Sequence, residues 1–238
     1  MAMEFLIIIP AFNEEEALTR TVETALKCPD ADILIVDDGS TDATRGLAAS
    51  LARRHARVSA IHLPLNCGIG SAMQSGFLYA ERKGYQYAAQ FDGDGQHSLD
   101  SLREMLERTK REKLDLCIGS RFLDLSPENF KSTRLRRFGI AFLARLISLL
   151  VGSKVTDPTS GLRIYGRRAI EVFAGCYPDD YPEPEALLVA SRRGFRIAEI
   201  PATMFERQGG NSSIRYLRTA YYMVKVTLAI LIERLRGI

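Results

Sequence analysis

The chain has 238 residues, 46% hydrophobic and 26% charged, and a net charge of +3 at neutral pH. That length can bury a sizeable core as one large domain or two tightly joined halves, and the balance is that of a soluble globular protein, not a low-complexity chain. A charge so near neutrality gives no argument for a nucleic-acid partner, and none is expected. Cys28, Cys67, Cys117 and Cys176 lie far apart without metal-ligand spacing and read as free thiols of a reducing cytosol.

Phe5 to Ile9 is a strand pattern, too short and without the basic flank of a secretory leader. Glu14 to Leu26 has helical periodicity. Ile33 to Val36 is a second strand and ends in Asp37-Asp38-Gly39-Ser40, after which Thr41 or Asp42 can cap a helix running toward His55. Val58 to Leu63 is a third strand, followed by a glycine-containing loop and a helix to about Arg82. Tyr87 to Phe91 reads as a buried strand, Leu99 to Lys113 as a helix and Leu114 to Ile118 as a strand. This alternation predicts an α/β fold with a largely parallel sheet and helices on both faces.

The second half is less regular. Lys131, Arg134, Arg136 and Arg137 precede an almost wholly apolar stretch, Phe138 to Val151, and the turn-rich Asp157-Pro158-Thr159-Ser160-Gly161 follows. Glu185 to Arg193 reads as a helix and Phe195 to Ile200 as a strand. A loop from Gln208 to Ser213 leads to a last helix, apolar over Tyr221 to Ile232 except for Lys225 and Thr227 and flanked by arginines. Both apolar stretches fall short of the roughly 20 residues that cross a bilayer, a length found in core helices or at interfaces. Their basic flanks and tyrosines favour a membrane surface. No linker separates independent domains, so residues 1–238 are expected to form one.

The chemistry concentrates at strand ends. Asp92-Gly93-Asp94-Gly95-Gln96-His97 delivers two carboxylates after a buried strand, where open α/β sheets collect ligands. Two aspartates one residue apart can converge on a hard divalent cation, and Mg²⁺ is commonly held by one or two carboxylates plus substrate phosphates. The alternative is an ordinary Asp-Gly surface turn. Glu14, Asp37 and Asp38 also follow strands, where helix capping is the competing role for Glu14 and Asp38. Five acids at one sheet edge argue for a ligand site in which a carboxylate accepts from ribose or base and Phe12 lies beside the base. The loop Asn66-Cys67-Gly68-Ile69-Gly70 is not a dinucleotide fingerprint, because glycine would be needed at Met73. No Walker P-loop is present either.

Pro10-Ala11-Phe12-Asn13-Glu14, Val36 to Asp42, Asn66-x-Gly68-x-Gly70 and Asp92-Gly93-Asp94 together resemble glycosyltransferase family 2, with its GT-A fold. Gly119-Ser120-Arg121, Asp157 to Gly161 and Arg207-x-Gly209 resemble the polyprenyl-phosphate branch of that family. The resemblance runs from about residue 5 to residue 225. It implies a nucleotide-sugar-binding half over about 1–120, an acceptor half over about 121–205, and a C-terminal loop and membrane-surface amphipathic helix over about 206–238. It implies that Pro10, Phe12, Glu14, Asp37 or Asp38, Gly70 and Gly93 hold the nucleotide with Asp92. Asp92, Asp94 and Gln96 would hold Mg²⁺ or Mn²⁺, and Arg121, Arg134 or Arg137, Arg207 and Ser212 would receive the acceptor phosphate. The branch tends to carry lysine where Ser213 stands after Gly210-Asn211-Ser212. The expected donor is UDP-glucose or UDP-N-acetylglucosamine, with GDP-mannose the alternative, and the acceptor is undecaprenyl phosphate. The expected location is the cytoplasmic face of the membrane, and a small separate integral membrane protein is a further expected partner. Asp94, Glu183 and Glu185 are the candidate catalytic acids. Either glutamate could serve as general base if the acceptor were a saccharide hydroxyl. A non-catalytic nucleotide-sugar-binding subunit is the reading from another class.

Overall fold

The computed structural model describes residues 4–123, 134–179, 181–203 and 225–228, with the side chains of 134–138 excluded. A seven-stranded sheet organises these residues. In chain order the elements are β1 (Phe5–Ala11), α1 (Leu18–Leu26), β2 (Ala31–Asp37), α2 (Thr44–Arg54), β3 (Val58–His62), α3 (Ile69–Lys83) and β4 (Tyr87–Gln90). Then follow α4 (Leu99–Glu112), β5 (Leu116–Ser120), α5 (Arg134–Val151), β6 (Arg163–Gly166), α6 (Arg167–Gly175), α7 (Pro182–Arg192) and β7 (Ile197–Pro201).

The sheet order is β3-β2-β1-β4-β6-β5-β7, and β6 alone runs antiparallel to its neighbours. Every residue of β1 is buried, as a central parallel strand covered by helices on both faces requires. Its two faces feed separate cores. Leu6 and Ile8 pack with Phe77, Tyr165 and Phe173 on one side, while Ile7 and Ile9 pack with Val22, Leu102 and Met105 on the other.

The predicted parallel βα framework is present, with shifted boundaries. The first helix begins at Leu18, because Glu14 to Ala17 form a turn in which the Glu14 carbonyl accepts from the N–H groups of Ala17 and Leu18. The second begins at Thr44, whose N–H donates to Asp42 Oδ1 at 2.9 Å. Two elements have no counterpart in the sequence reading, β6 and α6. β6 is only four residues long, is built around a fully buried arginine, and runs directly into α6. α5 covers the apolar stretch after the basic cluster and is half-committed to the core. Leu143 and Ile147 are fully buried, whereas Phe142 and Leu149 are exposed. Most of the expected C-terminal helix lies outside the described residues; residues 225–228 are helical, with Val226 buried in the core. Among the described residues no helix is long and apolar enough to cross a membrane.

β1 is flanked by β2 and β4, so the chain leaves it toward opposite edges of the sheet. That is a topological switch point, and a crevice opens at the carboxyl ends of these strands.

Candidate functional site

The crevice is a cleft of about 670 Å³ lined by Pro10 to Glu14, Asp38, Asn66, Gly68, Ile69, Ala72, Asp92, Gly93 and Asp94. Its floor is stitched together by polar contacts between strand-end loops. Asn13 adopts a left-handed φ of 54°, which turns the chain sharply after β1. Its N–H donates to Ser40 Oγ and its Oδ1 accepts from the Thr41 N–H. The Glu14 N–H donates to Thr44 Oγ1 at 2.8 Å. These bonds leave the Phe12 ring 42% exposed at the rim, where an apolar face is available to a base.

Asp37 and Asp38 part company. Asp37 is the last residue of β2, fully buried, and does not line the cleft. Its carboxylate accepts from the Ser40 N–H at 3.0 Å and faces His62 Nδ1 at 3.2 Å. Asp38 does line the cleft and accepts from the N–H groups of Cys67 and Gly68 at 2.8 and 2.9 Å. Burial pushes its carboxyl above the ordinary range, against those two donors. Gly70 is not a lining residue. A Cβ there would stand 2.3 Å from the Pro178 carbonyl oxygen, so its role is close packing of α3 on the loop before α7.

The Asp92 to His97 loop is pinned from several directions. The Asp92 N–H donates to His97 Nδ1 at 3.1 Å, which leaves the ring proton on Nε2, 3.4 Å from Asp92 Oδ2. Burial pushes the His97 pKa down to about 4, so the imidazole is neutral at physiological pH. Gln90 Nε2 donates to Asp92 Oδ1 at 3.2 Å. Thr21 Oγ1 donates to the Gly93 carbonyl at 3.0 Å. A Cβ on Gly93 would meet the Pro10 carbonyl oxygen at 3.1 Å, which favours glycine between the two aspartates. Asp94 is 8% exposed and accepts from the Gln96 N–H at 3.1 Å. The Gln96 side chain is not among those lining the cleft.

The donor set suits Mg²⁺ or Mn²⁺. Among the described residues there is no group of three or more His, Cys, Asp and Glu with metal-holding geometry. Two carboxylates in an open cleft nonetheless match a hard cation that takes its other oxygens from a diphosphate and water.

The state of His97 has a consequence for metal-free protein. Its folded pKa of about 4 lies below the ordinary 6.5, so only the unfolded chain takes up the proton as pH falls from about 6.5. Stability is therefore full above that value and is lost down to about pH 4, by about 2 kcal/mol already at pH 5. Thermal melts in chelator between pH 7 and pH 5 should show this slope, and His97→Asn should flatten it.

Arg121, expected to receive the acceptor phosphate, is already engaged. Its Nε and Nη2 donate to the two carboxylate oxygens of Asp157 at 2.7 and 2.8 Å, and Nη2 also reaches Thr159 Oγ1 at 2.9 Å. Asp157 is fully buried, and Glu199 braces the same loop by accepting from the N–H groups of Thr156 and Asp157. Arg134 and Arg137 stand in the first two turns of α5, with their side chains outside the described residues; Arg207 and Ser212 lie outside them altogether. A second, mainly apolar cleft of about 520 Å³ runs beside this loop, lined by Phe122, Ile140, Ala144, Val155 and Thr156 with Arg145 and Lys154 among its walls.

Glu183 and Glu185 both occupy the first turn of α7. Two residues are about 200° apart around a helix, so they face different ways. Glu183 faces the Asp92 side, where its Oε1 accepts from Gln90 Nε2 at 3.4 Å. Burial raises its pKa, with the Arg163 charge opposing and the Asp92 charge adding to the shift. Gln90 and Arg163 carry no role in the sequence reading. For Gln90 the signal is a polar residue inside a buried strand pattern; Arg163 has no such signal, because no strand pattern marks its segment.

A sequence profile described as "Glycosyl transferase family 2" matches residues 6–173. The chain belongs to glycosyltransferase family 2. It is 33% identical over 227 residues to the "Polyprenol monophosphomannose synthase" of Mycolicibacterium smegmatis, covering 93% of this chain and 84% of that protein. It is 31% identical to the "UDP-N-acetylglucosamine--dolichyl-phosphate N-acetylglucosaminyltransferase" of Methanococcus voltae, covering 82% and 83%. Among solved structures it resembles the mannosyltransferase PcManGT of Pyrobaculum calidifontis, in complex with GDP-Man and Mn²⁺. The TM-score is 0.59 at 15% identity, over 83% of this chain and 55% of that one. The fold is thus the GT-A fold of glycosyltransferases, and this family member is a glycosyltransferase.

Proposed function

We propose that the protein is a metal-dependent, inverting glycosyltransferase that moves a sugar from a nucleotide donor to a polyprenyl phosphate at the cytoplasmic membrane surface. The observation that carries this reading is the cleft at the switch point. It sets Asp92 and Asp94 against Phe12, Glu14 and Asp38, a diphosphate end beside a nucleoside end. Two of the relatives named above are, by name, a polyprenol monophosphomannose synthase and a dolichyl-phosphate N-acetylglucosaminyltransferase, and the apolar cleft beside Arg121 and Asp157 suits an isoprenoid chain.

The residues divide the work. Phe12 and Asp38 hold the nucleoside, and Asp92 and Asp94 would hold Mg²⁺ or Mn²⁺. A cation held there would supply charge neutralisation for the departing nucleoside diphosphate. Arg121, kept in place by Asp157, and Arg134, Arg137, Arg207 and Ser212 form the acceptor-phosphate side. A phosphate monoester has a second pKa of about 6 and is largely dianionic at neutral pH, so it needs no general base. Glu183→Gln and Glu185→Gln should therefore keep partial turnover, measured as nucleoside diphosphate release. Complete loss in either would favour a saccharide hydroxyl acceptor.

The test is a panel of UDP-, GDP- and dTDP-sugars with Mg²⁺ or Mn²⁺, with and without undecaprenyl phosphate in detergent. Lipid-dependent release with one donor establishes the reaction and names the sugar; UDP-glucose or UDP-N-acetylglucosamine is expected. Release only with saccharide acceptors would replace this reading. Silence that ends on adding membranes would show that a membrane protein partner is required.

A further inference from the structure

Gln90 is the last residue of β4, fully buried in an otherwise apolar strand. Burying a carboxamide is costly unless its polar atoms are satisfied. Its Nε2 donates in two directions, to Asp92 Oδ1 at 3.2 Å and to Glu183 Oε1 at 3.4 Å. Because both neighbours are carboxylate oxygens, the amide must turn its NH₂ toward them; the opposite flip would set three acceptor oxygens against one another. Two carboxylates from different elements therefore share one buried donor group.

The surroundings hold this bridge in one place. Arg163 lies directly across the antiparallel pair from Gln90 and is itself fully buried, with Nε and Nη2 donating to the carbonyls of Ser160 and Pro158. Its positive charge also acts on Glu183, favouring the ionised carboxylate against the burial that raises its pKa. On the Asp92 side the backbone of Gly161 closes one flank. A Cβ on Gly161 would stand 2.5 Å from Asp92 Oδ2 and 3.1 Å from Gln90 Nε2, so the side chains rest on bare backbone.

We propose that Gln90, anchored by Glu183, is a positioning residue that fixes the rotamer of Asp92 for the divalent cation. This rests on the reading of Asp92 as a metal ligand. Hydrogen bonds to ligating carboxylates orient them, and losing one such partner typically costs about 10–100-fold in metal affinity or activity. A purely structural Gln90 would affect stability and leave cation affinity unchanged.

The test is Mn²⁺ binding by EPR on the full chain, with UDP and with GDP in parallel. Gln90→Leu, close in size but without donors, should raise the Mn²⁺ dissociation constant about 10–100-fold. Glu183→Leu should do the same, and the double variant should lose no more than either single one, since both act through one bond chain. Glu183→Gln keeps an acceptor oxygen for Gln90 and should bind Mn²⁺ like the wild type. Thermal melts accompany each variant; if Glu183→Leu does not fold, Gln90→Leu with Glu183→Gln still decides. Asp92→Asn separates the two ways of failing. If it loses Mn²⁺ while Gln90→Leu binds normally, the positioning role is overturned and the metal reading stands. If Asp92→Asn also binds normally, both fall.

Discussion

Asp94→Asn is expected to cut metal-dependent transfer by roughly 10²–10³-fold while leaving the fold intact. The substitution preserves shape: an asparagine oxygen can still accept from the Gln96 N–H, the 3.1 Å bond that closes the turn. On the proposed assignment it removes one of two negative charges offered to the cation, and charge is what a hard divalent ion binds. The loop has independent supports in the His97, Gln90 and Thr21 contacts, so the melting temperature should move little. Turnover with each donor, titrated with Mn²⁺, measures the effect. Wild-type turnover in this variant would refute the metal assignment.

Much of this cleft is legible in the sequence because parallel strands buried on both faces are near-continuous apolar runs, and these end abruptly at a proline or an acid. Phe5 to Ile9 and Ile33 to Val36 announce themselves this way. The Asp37–Asp38 pair shows where such reading stops. Successive residues at a strand end point to opposite sides, so only one of the two could enter the cleft, and composition does not say which. Register decides: Asp37 pairs with Ala11 as the last rung of the ladder, and its carboxylate turns inward to Ser40 and His62. β6 was hidden for a different reason. Its four residues include Arg163, a residue that ordinarily argues against a buried strand, and it reverses direction within a sheet otherwise built of parallel pairs. The ties between Arg121 and Asp157, 36 positions apart, and between Gln90 and Glu183, 93 apart, are tertiary facts without local signature.

The largest loss of stability should come from Asp157→Ala. Arg121 donates two charge-assisted bonds to that carboxylate, with side-chain exposures of only 9% and 0%, and its backbone N–H adds a third contact at 3.1 Å. An isolated pair of this kind gains little over an apolar substitute, because desolvation offsets attraction. Removing one partner is different: the guanidinium stays largely buried without its counter-charge, at a cost of about 3–5 kcal/mol. Glu199 would still brace the loop through Thr156, so the damage should spread less than the energy suggests. Denaturant unfolding should show the loss, and Arg121→Ala with Asp157→Ala together should cost less than the sum of the single changes, since neither charge is then left alone. Additive losses would mean that the two groups act independently, and that Asp157 is not what holds Arg121 in place.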